Sequence, residues 1–220
     1  GEMPAADPAA GVASFMVQAE WREMLEAAVK KRGTANWTEW LHLGIMRGYA
    51  GDLAGAREVF RRSVEVGRTA WGLRNLAVVA RLEKNMEEAC RLMEEALRLR
   101  PDLPWLAAQC ASTLIDAGHS ERWLTAMDDL PESVRSRGRI VALGGRAALL
   151  AGQLDRVEAM LKHPPVVDDM LEGEVSLTEL WFGLHEQRIS RAEGKPVDDA
   201  LKARVRRDFP PPREIDFRMV

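Results

Sequence analysis

Trp40-Leu41-His42-Leu43-Gly44-Ile45-Met46-Arg47-Gly48-Tyr49-Ala50-Gly51-Asp52-Leu53-Ala54-Gly55-Ala56-Arg57-Glu58-Val59-Phe60 is the stretch whose reading decides the fold. Apolar residues recur at helical spacing on both sides of Gly51-Asp52, so it reads as a helix, a tight turn and a second helix. Trp40, Leu43 and Gly44 lie on the first helix, and Leu53, Ala56, Phe60 and Val64 share one face of the second. A small residue at Ala56 lets two antiparallel backbones approach, and Phe60 fills the space beside it.

Upstream, Asn36-x-x-Glu39 has the form of a capping box, which starts the first helix near Trp37 and runs it to about Ala50. Before that, Trp21, Met24, Leu25 and Ala28 follow the spacing of one helix face, and Gly33 ends that helix. Residues 1–10 are small and contain proline, and read as a linker or an ordered N-terminal arm.

Downstream, the plan recurs. Gly51 precedes Ala56 as Lys84 precedes Ala89, and the turn positions Gly51, Lys84, Gly118 and Gly152 are 33, 34 and 34 residues apart. Four helix pairs follow, at about 37–69, 70–103, 104–137 and 138–171. No single pair can bury its own apolar face, so the pairs must stack.

These residues resemble the tetratricopeptide repeat family, whose pattern runs W-x2-L-G-x2-Y, then G and A, then F, A and P. The first unit matches through Trp40, Leu43, Gly44, Gly51, Ala56 and Phe60, with Arg47 in place of the tyrosine and Ser63 in place of the later alanine. The second matches through Leu76, Ala77, Ala89, Ala96 and Pro101, with Met93 replacing the aromatic residue. The third and fourth are degenerate: Trp123 stands at the small position and Pro164 interrupts the last helix. The resemblance implies an all-α, right-handed α-α superhelix of about four helix pairs over residues 11–171.

After His163-Pro164-Pro165, the Ser176-x-x-Glu179 box opens a helix with Leu177, Leu180, Trp181 and Leu184 on one face, ended by Gly194. A short basic helix follows over 197–208, so residues 172–209 read as capping helices. Pro210-Pro211-Pro212 begins an extended tail in which Ile215, Phe217 and Met219 alternate with polar residues, a strand-like pattern suited to docking. The opening Gly1–Pro8, the Trp37–Asp52 stretch, Pro165-Val166-Val167-Asp168-Asp169, Ser176–Phe182 and Glu214–Met219 together look like the C-terminal tetratricopeptide region of a bacterial family of unknown function. That resemblance implies an upstream β-sandwich similar to galactose mutarotases.

Composition narrows the function. A net charge of -3 lacks the concentrated positive field of nucleic-acid binders. The run Lys202, Arg204, Arg206, Arg207 is flanked by Asp198, Asp199 and Asp208 and reads as a solvated helix face. Cys90 and Cys110 sit in apolar helical patterns and read as small buried hydrophobes. No run reaches the length of a membrane span, and no signal segment opens the chain. The expectation is a cytoplasmic chain that binds neither membrane nor nucleic acid.

Chemistry is not signalled. His42, His119, His163 and His185 share no metal-ligand spacing, and the pairs Asp128-Asp129, Asp168-Asp169 and Asp198-Asp199 diverge on a helix or sit in caps. Gly144-Gly145 lacks the other residues of a phosphate loop and suits close helix packing instead. No catalytic residue, metal or cofactor is expected.

A binding face is expected instead, on the inward positions of each first helix. The resemblance places there His42 and Tyr49; Trp71, Arg74, Asn75 and Arg81; Trp105, Gln109, Ser112 and Asp116; and Arg139 and Arg146. Guanidinium forks suit carboxylates and indole rings give stiff anchors, so the set fits an extended peptide or acidic ligand. The carboxylate-clamp pattern of chaperone-binding repeats is absent. The chain therefore reads as a non-enzymatic interaction or docking module, its partner being its own upstream β-domain, a peptide or protein, or a second protomer. The alternatives are a contribution to carbohydrate binding with the mutarotase-like domain, and homodimerisation.

Overall fold

A computed structural model describes residues 3–9, 16–166 and 176–216. Among them are twelve helices. They form two compact units, residues 1–100 and 101–220. The first unit holds α1 (Ala19–Arg32), α2 (Trp37–Tyr49), α3 (Leu53–Val66), α4 (Ala70–Leu82) and α5 (Met86–Leu99). The second holds α6 (Pro104–Asp116), α7 (Ser120–Asp128), α8 (Glu132–Arg135), α9 (Gly138–Leu150), α10 (Leu154–Lys162), α11 (Ser176–Glu193) and α12 (Asp199–Asp208).

The turn between paired helices is the same in all four pairs, for a backbone reason. Gly51, Lys84, Gly118 and Gly152 all have positive φ, between 63° and 84°. In each, the residue in the left-handed region donates to the carbonyl three positions back, and the next residue donates five positions back. Thus Gly51 N–H reaches Gly48 O and Asp52 N–H reaches Arg47 O, as Lys84 reaches Arg81 and Asn85 reaches Ala80. His119 to Leu114 and Gln153 to Ala148 repeat the bond. Lys84, with a β-carbon, adopts this conformation without glycine's freedom.

Within the first unit, α2 pairs with α3 and α4 with α5. Ala56 and Ala89 are fully buried, and Phe60 is 3% exposed. A β-carbon added to Gly44 would stand 2.3 Å from Phe60 Cε1, so this glycine accommodates the ring. The equivalent place in the second pair is taken by Ala77 opposite the slimmer Met93, both buried. Burying side chains of this size stabilises by about 1.5–3 kcal/mol each. Arg57 of α3 holds Glu88 on α5 at 2.9 Å and also meets Glu83, tying the second helices of both pairs together. The Arg57 hydrogen bond holds the Glu88 carboxyl below its ordinary range, against the opposing effect of burial.

The helix preceding these pairs departs from expectation. On α1 only Leu25 is buried, clustered with Leu43, Met46 and Val59 and flanked by Val29 and Trp40. Trp21 and Met24, expected on the packed face, are 45% and 63% exposed. A peripheral helix with α2 as its main neighbour covers a narrow stripe, so Leu25 and Val29 suffice.

In the second unit, α7 and α10 are 9 residues each, where α3 and α5 are 14. Trp123 of α7 is fully buried at the position where Ala56 and Ala89 stand. Space is made on α9 instead. A β-carbon on Gly144 would lie 2.6 Å from Met127 Sδ, and one on Gly145 2.5 Å from Met160 Sδ. The short α8, not expected from the sequence, follows α7 and buries Val134.

The last helices close on each other. Phe182 of α11 clusters with Leu201 and Val205 of α12, with Trp181, Ile189 and Phe209 alongside. Arg188 on α11 pairs with Glu158 on α10 at 2.6 Å, and Arg191 donates to the Gly152 carbonyl at 2.8 Å.

Candidate functional site

Each unit presents its own share of the expected face. In the first, α4 carries Trp71, Arg74, Asn75 and Arg81, with Trp71, Arg74 and Asn75 half-buried and Arg81 exposed. Asn75 is fixed: its amide donates to Trp71 O at 2.8 Å, and its side-chain oxygen accepts from Arg74 at 3.2 Å. Burial, and then repulsion from Arg81, holds the Arg74 guanidinium below its usual range. A carboxylate brought between the two arginines would relieve that repulsion. His42 on α2 is half-buried, and burial lowers its imidazole; Tyr49 at the end of α2 is 75% exposed.

In the second unit, Trp105, Gln109, Ser112 and Asp116 lie along α6, and Arg139 and Arg146 on α9. Trp105 is 41% exposed, as its place in the first turn after Pro104 allows. Ser112 is turned to its own helix, its hydroxyl donating to Ala108 O at 3.0 Å. Asp116 and Arg146 meet at 3.9 Å between half-exposed side chains, an ion pair of small energetic weight. The structure therefore brings Trp71, Arg74, Asn75 and Arg81 together in one unit and pairs Asp116 with Arg146 in the other.

The tail differs from its strand-like reading. Ile215 is 1% exposed in a turn over 213–215, and its carbonyl accepts from Thr178 on α11 at 2.8 Å. It is part of the core of its own unit. Phe217 and Met219 lie outside the described residues.

One set of contacts was not foreseen from the sequence. Residues 3–9 lie against the start of α2 and reach α4 and the end of α5. Met3 N–H donates to Glu39 Oε1 at 3.1 Å, and Asn36 Nδ2 donates to Met3 O at 2.7 Å. Ala6 N–H donates to Thr38 Oγ1 at 2.8 Å. Trp71 Nε1 donates to Pro8 O at 3.1 Å, and Arg100 donates to Ala9 O at 2.8 Å. The capping box itself forms as the sequence suggests, Asn36 and Glu39 exchanging bonds of 3.0 Å. Glu39 is 1% exposed and bound by Arg32 at 2.5 Å. The sequence signals for this surface were that capping box and the small, proline-containing stretch over 1–10, read as a linker or an ordered arm.

Among the described residues, no group of three or more His, Cys, Asp or Glu side chains is arranged to hold a metal ion. None of their helices is long and apolar enough to cross a membrane.

Against solved structures, this arrangement of helix pairs is a tetratricopeptide-type fold. YrrB, described as a tetratricopeptide protein with an unusual peptide-binding site, superposes with a TM-score of 0.58 at 12% identity, over 86% of this chain and 95% of that one. A tetratricopeptide repeat protein from Parabacteroides merdae gives 0.59 at 16% identity, over 84% and 76%. PilF of Pseudomonas aeruginosa gives 0.55 at 13% identity, over 89% and 88%. No protein-family model and no curated protein matches the chain.

Proposed function

We propose that this chain is a non-enzymatic interaction module whose α4 face binds an extended, acidic peptide segment. The observation that carries the reading is the Trp71–Arg74–Asn75–Arg81 set on α4, in which Asn75, bonded to the Trp71 carbonyl, holds a half-buried Arg74 guanidinium that Arg81 repels. A carboxylate gains two forked donors there, and the indole supplies a rigid apolar anchor. The peptide-binding site named for YrrB supports this use of the fold. The second unit carries a set of its own, Trp105 and Gln109 on α6 with Arg139 and Arg146 on α9, which we read as a separate contact of the same kind.

The test is calorimetric titration of the chain with an acidic and a charge-reversed peptide of equal length. The acidic peptide binds, and Arg74→Gln or Arg81→Gln weakens it about tenfold or more, the loss of one charge-assisted contact. Equal affinity for both peptides, or unchanged binding in both variants, overturns the reading.

The docking form of this proposal places the module in a cytoplasmic bacterial protein, C-terminal to a mutarotase-like β-sandwich. It rests on the sequence resemblance, and its partner is that β-domain. Affinity of the chain for the separately expressed β-domain measures it, and no binding at hundred-micromolar concentration rejects it.

A further inference from the structure

We infer that the surface under residues 3–9 is a peptide site in its own right, occupied here by the chain's own arm, and that in trans it takes a proline-containing segment read through its main chain. It shares Trp71 with the face above and otherwise uses different residues, so the two readings fail separately.

The bonds that join the surface to residues 3–9 go to the arm's backbone. Glu39 and Thr38 accept the amides of Met3 and Ala6, and Asn36, Trp71 and Arg100 donate to the carbonyls of Met3, Pro8 and Ala9. The arm's side chains carry little of the contact: Pro4, Ala5, Asp7, Pro8 and Ala9 are exposed, while Met3 and Ala6 are half-buried. Prolines stand at Pro4 and Pro8, positions whose amide the surface does not use, and each fixes φ before binding. Asp7 closes the run by accepting from Ala9 N–H at 2.9 Å.

The receptor side is built rather than incidental. Glu39 is a carboxylate held almost wholly out of water by its helix, with Arg32 and the Asn36 amide already on it. The Met3 amide adds a further donor to that buried charge. Thr38 and Trp71 hold the equivalent second position of α2 and α4, so successive repeats read successive parts of one backbone. A ligand is therefore selected by where it can present donors and acceptors and by where it tolerates proline, with wide freedom in its side chains.

A tethered arm competes at an effective concentration in the millimolar range, so the full chain should bind such a ligand weakly. The probe is the blocked heptapeptide of sequence Met-Pro-Ala-Ala-Asp-Pro-Ala, titrated into the full chain and into a variant lacking residues 1–9, with tryptophan fluorescence as readout. The shortened variant binds at least about tenfold tighter than the full chain. Methylating the peptide nitrogen equivalent to Ala6, or Thr38→Val in the protein, weakens binding roughly three- to tenfold. Replacing the peptide's Met and Asp by Ala changes it less. Equal binding to both proteins, or indifference to the methylated nitrogen, overturns the inference. Should the shortened variant fail to fold, hydrogen exchange in the full chain decides. Ala6 N–H is protected and excess heptapeptide releases it, whereas exchange at the free-peptide rate, or no release, rejects the site. Arg74→Gln and Arg81→Gln leave this binding unchanged, which separates it from the acidic-peptide reading.

Discussion

The first two helix pairs and the last two share a turn and differ in almost everything packed around it. All four turns hold one residue in the left-handed region. In pairs one and two, Asp52 and Asn85 also cap the following helix, accepting from Gly55 and Glu88 backbone. In pairs three and four, His119 and Gln153 make no side-chain cap bond, and the following helices are shorter. The small residue sits on the second helix in the first region, at Ala56 and Ala89. In the last region Trp123 and Val157 take that place, and space comes from Gly144 and Gly145 of α9, which receive Met127 and Met160 as Gly44 of α2 receives Phe60. The turn fixes how two helices reverse; whether the second helix adds a small residue or bulk of its own varies around it.

The strongest way to break the comparison is to treat the regions as interchangeable. Trp123→Ala removes a fully buried indole where the first region already has alanine, and costs about 3–5 kcal/mol in urea unfolding. The surrounding space was shaped for a ring, so the residue natural at Ala56 does not suit it. A cost under about 1 kcal/mol would show the two pairings to be equivalent.

Next in size is an exchange within the first region. Gly44→Ala puts a β-carbon into Phe60 and destabilises by about 1–3 kcal/mol. Adding Phe60→Met reproduces the Ala77–Met93 combination of the second pair and recovers most of that loss. Failure of the double variant to recover would mean that the two pairs do not share one packing rule.

The missing caps allow a sharper test. Asn85→Ala lowers the melting free energy by about 1 kcal/mol, while Gln153→Asp raises it by about 0.5–1 kcal/mol. Gln153, at φ -84 and ψ 67, already has the backbone of Asp52 at φ -81 and ψ 76. A loss at Gln153→Asp would place the difference in backbone rather than in side chain.

The smallest effect is a pH dependence that both regions share, through His42 in the first and His185 in the last. His185 stacks on Phe209 at 4.3 Å and meets Trp181 edge-on at 4.6 Å, and its Nε2 is buried with no hydrogen-bond partner. Burial, then Arg188, lower its imidazole from the ordinary 6.5, with Glu158 acting in the opposite direction. A lowered folded value means that the unfolded chain takes up the proton first. Stability is therefore full above pH 6.5 and falls as pH drops from there toward the lowered value. His185→Phe reduces that slope in melting curves recorded between pH 5 and 8 and leaves the share of His42; an unchanged slope assigns it wholly elsewhere.

What the sequence disclosed was local and periodic. The left-handed turns followed from glycine spacing, and the register was strong enough to place Lys84 among them although it is not glycine. Asn36 and Glu39 announced their capping box because both partners lie within one turn. Periodicity failed on α1, where Trp21 and Met24 share a spacing with Leu25 but have no neighbouring helix to cover them. The contacts of the arm were illegible for a related reason. Side chains dozens of residues away hold the arm by its own backbone atoms, as Arg100 holds the Ala9 carbonyl, and a main chain carries no residue code. The groups on α4 were readable as a set from their register, whereas the strain on Arg74 required knowing how deeply it sits.

The bond from Thr178 to the Ile215 carbonyl, with that from Trp181 Nε1 to Phe209 O at 3.0 Å, has a kinetic consequence. Both join the first turns of α11 to the segment after α12, spanning 37 and 28 residues respectively. Fraying from this end would have to break a buried hydroxyl bond and lift Ile215 from the core before α12 could loosen. Helices α11 and α12 and the segment through Ile215 should therefore open together, their amides sharing one exchange free energy rather than a gradient that falls toward the last residues.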